Sequence, residues 1–121
     1  MDIRIKATDF EMTPGVQDYL DERLQTIEKH LGDEADVARC EIELGRAAGH
    51  SQRGENWFSE IQIIIPGKED LRVVAHAESV NASIDAMKDE ILGRVTKNKS
   101  KRFALTRKAG ARIKDWLRWG S

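Results

Sequence analysis

Five cations stand within nine residues at 94–102, RVTKNKSKR: Arg94, Lys97, Lys99, Lys101 and Arg102. Side chains of this kind at spacings of one to three suit one chemistry above others, the neutralisation of a polyanion. Yet the 121-residue chain has a formal net charge of -1. The charges are segregated. Residues 1–93 hold 10 Lys/Arg against 20 Asp/Glu, whereas 94–121 hold 10 Lys/Arg against Asp115 alone. Such asymmetry points to a nucleic acid or an anionic membrane as the partner of the basic part. One or two cations at a helix C-terminus would only complement its dipole, at about 0.3–1 kcal/mol each. A net nine charges in the last 28 residues exceed that role, and a phosphate backbone would remove their mutual repulsion.

Catalytic chemistry finds less support. His30, His50 and His76 are not paired with Cys, Asp or Glu at a metal-ligand spacing, so neither a metal nor another cofactor is expected. Cys40 falls on the apolar side of an alternating segment and reads as a small buried hydrophobe. The glycines of RAAGHSQRGEN lack the spacing of a phosphate-binding loop and permit turns instead. Glu41 with Glu43, and Asp85 with Asp89, read as neighbours on solvated surfaces. The chain is not expected to be an enzyme or to take a small-molecule substrate.

The elements that position the basic segment follow from periodicity. At this length the chain supports one domain with a terminal appendage, and 40% hydrophobic with 34% charged residues fits a soluble globular protein. A single cysteine excludes an internal disulfide framework, and no segment has the pattern of a leader or membrane span, so a cytoplasmic protein is expected. DIRIKAT at 2–8 alternates with period two and predicts a strand. Thr13 as N-cap and Pro14 at the first helical position open a helix with an apolar stripe at Val16, Leu20, Leu24, Ile27 and Leu31, ended by Gly32. Strands follow over 36–46, from Trp57 to Ile65, and over 71–77, with a long polar hairpin loop at 47–56 and a tight turn at PGKED. Ser79 caps a second helix with Ile84, Met87, Ile91 and Val95 on one stripe, whose pattern runs past Lys97. The expectation is an α+β domain of order β-α-β-β-β-α over 1–102: a four-stranded sheet, antiparallel, with two helices on one face.

Residues 103–121 differ in kind. Arg107 and Lys108 precede Gly110, after which Ile113, Trp116 and Leu117 recur at helical spacing among Arg112, Lys114 and Arg118. A basic amphipathic helix of about two turns is too short to stand alone in water. Trp116 and Trp119 beside Arg112 and Arg118 could stack on unpaired bases, enter a lipid interface or dock on a protein groove.

Three segments carry a resemblance to a known family: IRIKATDFEMTPGVQDYLDERLQTIEKHLG, EIQIIIPGKEDLRVVAHAESVNASIDAMKDEI and the basic helix end. Their TP helix start, IPGK turn and ESVNASID resemble the short ribosome hibernation promoting factors, also called ribosome-associated translation inhibitors, over about residues 1–102. The resemblance implies a fold similar in plan to double-stranded-RNA-binding domains, lodged in the mRNA and tRNA channel of the small ribosomal subunit. It implies a stress-responsive translation inhibitor that keeps ribosomes inactive and protected, itself a monomer when free. It carries RNA-contacting roles to Arg23 and Lys29 on the first helix and to Lys97, Lys99 and Lys101 on the second. Lys88 matches a position often basic in the family, but Asp89 and Glu90 beside it dilute the positive face. Arg94, Arg102, Arg107 and Lys108 join the candidate RNA contacts on charge alone. A different class stays open: a regulatory protein-binding module with an acidic sheet surface and a basic tail docking on protein or membrane.

Overall fold

The computed structural model of the chain describes residues 1–47 and 56–99. Strand β1 spans Asp2–Thr8 and is followed by helix α1, Pro14–Leu31. A 3-10 turn at Gly32–Asp36 leads into β2, Arg39–Arg46. Strands β3, Trp57–Ile64, and β4, Leu71–Ala77, precede helix α2, which occupies 80–99 of the described residues.

Local chemistry sets the boundaries. The Thr13 hydroxyl accepts the Val16 amide at 3.2 Å, while Pro14 starts α1 with no N–H to satisfy. Gly32 ends α1 at φ 63°, a left-handed value that costs glycine nothing. Ser79 caps α2 through the Ala82 amide at 3.1 Å. Between β3 and β4, the Lys68 amide donates to the Ile65 carbonyl at 3.1 Å, with Pro66 and then Gly67 at φ 75° in the central positions. That is the residue order a type II turn requires.

The sheet order is β1-β2-β3-β4. Its one departure from expectation is β1, which pairs with β2 in parallel, in register from Asp2 opposite Arg39 to Thr8 opposite Gly45. The sheet is therefore mixed. The 18 residues of α1 return the chain to the end where β1 began, and a helical crossover of that kind makes its two strands parallel. The two following connections are hairpins, and β2–β3 and β3–β4 are antiparallel. At the parallel seam, a Cβ on Gly45 would lie 2.5 Å from the Thr8 carbonyl oxygen, so only glycine fits.

Both helices cover one face. Leu20, Leu24, Ile27 and Leu31 of α1 and Ile84, Met87, Ile91 and Val95 of α2 are buried against Cys40, Ile42, Leu44, Ile61, Ile63 and Val73. Within this layer the Ser59 and Ser83 hydroxyls bond to each other at 2.6 Å and Ser83 also donates to the Val80 carbonyl, so this buried polar contact between sheet and helix is satisfied. The chain directions place both helix N-termini at the end of the sheet where β1, β2 and β4 finish. The C-terminus of α1 and the last described residues of α2 lie at the opposite end. Residues 48–55 of the long hairpin loop lie outside the described residues, but Ala47 still donates to Asn56 at 2.7 Å, so the ladder extends to the loop's base.

Candidate nucleic-acid interface

Because α1 and α2 run in the same direction, their C-terminal ends meet. There Lys29, His30, Thr96 and Lys99 line a cleft of about 440 Å³. The ammonium of Lys99 donates to the His30 carbonyl, satisfying one of the last acceptors of α1 while tying α2 to it. The His30 ring lies with Nδ1 2.9 Å from the Thr26 carbonyl, to which it donates as an N–H. Lys29 and Lys97 are exposed, and neither makes a hydrogen bond or ion pair with another described residue. Two lysines without partners among the described residues, a third at the helix junction and a hydroxyl make a surface suited to phosphate oxygens. Thr96 and His30 escaped the sequence reading. The available signal was their spacing, His30 beside Lys29 and Thr96 three residues before Lys99.

The remaining candidates divide. Arg23 sits half-buried between the helices, with its Nε 3.0 Å from an Asp85 carboxylate oxygen and its guanidinium 3.5 Å above the Tyr19 ring. Lys88 is half-buried and lies 3.2 Å from Asp89. Arg94 reaches back to donate to the Arg72 carbonyl at 3.0 Å and lies 3.5 Å from Glu90. Lys101, Arg102, Arg107, Lys108, Arg112, Trp116, Arg118 and Trp119 lie outside the described residues. Asp85, read from sequence as a solvated neighbour of Asp89, instead accepts from both Arg23 and the Tyr19 hydroxyl. Burial pushes its carboxyl up, but those two hydrogen bonds and the adjacent positive charges outweigh burial and hold it below the usual carboxylate range.

Charge along the helix layer is graded. The first halves carry Asp18, Asp21, Glu22 and Asp85, and the C-terminal portions carry Lys29, Arg94, Lys97 and Lys99. No acid stands in the first turn of either helix, so the dipole of α1 is complemented only at its C-terminal end, by Lys29, and the cations gather at that end beside Glu28 and Glu90. The opposite face of the sheet differs from the acidic surface expected. It interleaves Arg4, Lys6, Arg39 and Arg72 with Asp2, Glu41, Glu43 and Glu60, and Arg72 pairs with Glu60 at 2.6 Å. A hollow of about 290 Å³ there is lined by both signs, Arg4 and Lys6 against Glu41, Glu43 and Glu60. Period-two alternation places the carboxylates but does not reveal which cations face them. No helix among the described residues is long and apolar enough to cross a membrane.

The fold agrees with comparisons against known proteins. The family model described as Sigma 54 modulation protein / S30EA ribosomal protein matches residues 3–102, and the chain belongs to that family. Among solved structures, the Protein Y N-terminal domain of Thermus thermophilus superposes with a TM-score of 0.64 at 22% identity, covering 80% of this chain and 98% of that one. A ribosomal subunit interface protein from Coxiella burnetii gives a TM-score of 0.66 at 12% identity, covering 83% and 99%. At these identities the likeness establishes the fold. A comparison with curated protein sequences gave no match.

Proposed function

We propose that this protein is a non-enzymatic ribosome-associated translation inhibitor that binds the RNA of the small subunit in the mRNA and tRNA channel and holds the ribosome inactive. Family membership supports the ribosome as partner. The observation that carries the RNA reading is the meeting of Lys29 and Lys99 in one cleft between two parallel helices, with Lys97 exposed on the same stretch of α2. Lys101 and Arg102 follow at once in the sequence. Recognition is of phosphates and RNA shape, with little reading of base edges. A contact that neutralises about 5 phosphates gives a slope of log K against log[salt] of roughly -3.5 to -4.5. The variant with Lys97, Lys99, Lys101 and Arg102 all changed to Ala is expected to keep its fold and to lose co-sedimentation with small subunits in a sucrose gradient. Undiminished co-sedimentation at moderate salt would refute the assignment.

A further inference from the structure

We propose that Arg23 is a positioning residue: with Tyr19 and Asp85 it forms a strut between the two helices that sets the cationic cleft, and it does not itself contact RNA. The inference rests on the RNA-binding reading above and reassigns one of its members. Arg23 exposes only 23% of its side chain. Its Nε donates to Asp85 at 3.0 Å, an Nη lies 3.2 Å from Glu22, and its planar face is covered by the Tyr19 ring at 3.5 Å. With Nε, one Nη and one face engaged, the guanidinium has mainly its second Nη to offer a phosphate. Its charge is also already matched by Asp85 and Glu22, so a phosphate there would compete with two carboxylates. Tyr19 closes the arrangement by donating its hydroxyl to the same Asp85 carboxylate.

The geometry explains why the residue is arginine. A lysine ammonium could approach Asp85 but could not stack on Tyr19 and present a fixed donor at the same time. It also explains the location. The strut joins α1 at Tyr19 and Arg23 to α2 at Asp85, while Lys99 joins the helices again at His30. Two ties on parallel helices define both their separation and their relative slide, and therefore the distance between Lys29 and Lys97.

The test exploits opposite signs. If Arg23 contacted phosphate, Asp85→Asn would free the guanidinium, remove a negative charge and tighten binding. As a strut, Asp85→Asn weakens binding of the full chain to purified small subunits by about 3- to 10-fold, with the salt slope unchanged because no phosphate contact is lost. Arg23→Lys fails to restore affinity for the same reason, and Tyr19→Phe, which keeps the stacked ring, gives a smaller loss. Tighter binding by Asp85→Asn, or a slope that falls by about 0.7–0.9 in Arg23→Ala, overturns the proposal. Thermal melts decide the strut independently of any ribosome. The double variant Arg23→Ala with Asp85→Ala is expected to melt no lower than the weaker single variant, and additive losses overturn it. If the unaltered protein does not bind small subunits, the RNA reading fails while the melts still decide the strut.

Discussion

At the level of single residues, ionisation states distinguish working groups from inert ones. Burial, reinforced by Glu41, pushes the Cys40 thiol up to about 12, so it stays a protonated hydrophobe. Tyr19 and Asp85 make a sharper case. The hydrogen bond to Asp85 is the main influence raising Tyr19 above its ordinary value, whereas Asp85 is held below its own. The lowered carboxyl contributes stability that is complete above the ordinary carboxylate range and fades as pH falls through the folded-state value. The raised phenol contributes stability that is complete below its ordinary value near 10 and is lost as pH rises through the folded-state value. Asp85→Asn is therefore expected to flatten the acid limb of a melting-temperature profile, as pH falls through and below the ordinary carboxylate range. A limb unchanged by the substitution would mean that other carboxylates set it. These roles were illegible in the sequence, because Tyr19 and Asp85 are 66 residues apart and nothing local announces their contact.

Elements were far more legible. The residues that begin and end α1 act through local backbone geometry, and Thr13, Pro14 and Gly32 do in the structure what their types require. The stripes of both helices and the alternation of β3 also matched, because burial on one face imposes a period. The direction of β1 was missed, since hydrophobic alternation is the same for parallel and antiparallel pairing. The 3-10 turn at Gly32–Asp36 carries no periodic signal of its own, and the strand expected from residue 36 begins only at Arg39. Two glycines make opposite predictions at this scale. Gly93 lies exposed within α2, and a Cβ there meets nothing within 4 Å. Gly93→Ala should stabilise the protein by up to about 1 kcal/mol. Gly45→Ala drives a methyl to 2.5 Å from the Thr8 oxygen, parting the β1–β2 seam, and should cost about 1–3 kcal/mol. Denaturant unfolding of both variants checks the pair, and equal effects would contradict the packing described.

For the whole molecule, the relevant quantity is distance along the charge gradient. From Asp18 to Lys29 is 11 residues of helix, roughly 16 Å at 1.5 Å per residue. That is about two screening lengths at physiological ionic strength, where the length is about 8 Å. Neutralising Asp18 and Asp21 to Asn should therefore change small-subunit affinity by less than about two-fold, whereas Lys29→Ala should weaken it and lower the salt slope by about 0.7–0.9. A large gain from the acidic pair would mean that the RNA reaches the other end of the helices. The sequence supplied the overall segregation of charge but not its layout, which depends on two helices running in parallel over a mixed sheet.

The tie between Lys99 and the His30 carbonyl joins the two helices at the end where Lys29 and Lys97 are exposed. An ammonium has three N–H donors, so holding one carbonyl leaves two for a second acceptor. A phosphate oxygen arriving at the cleft would add to the bond that joins the helices instead of competing with it.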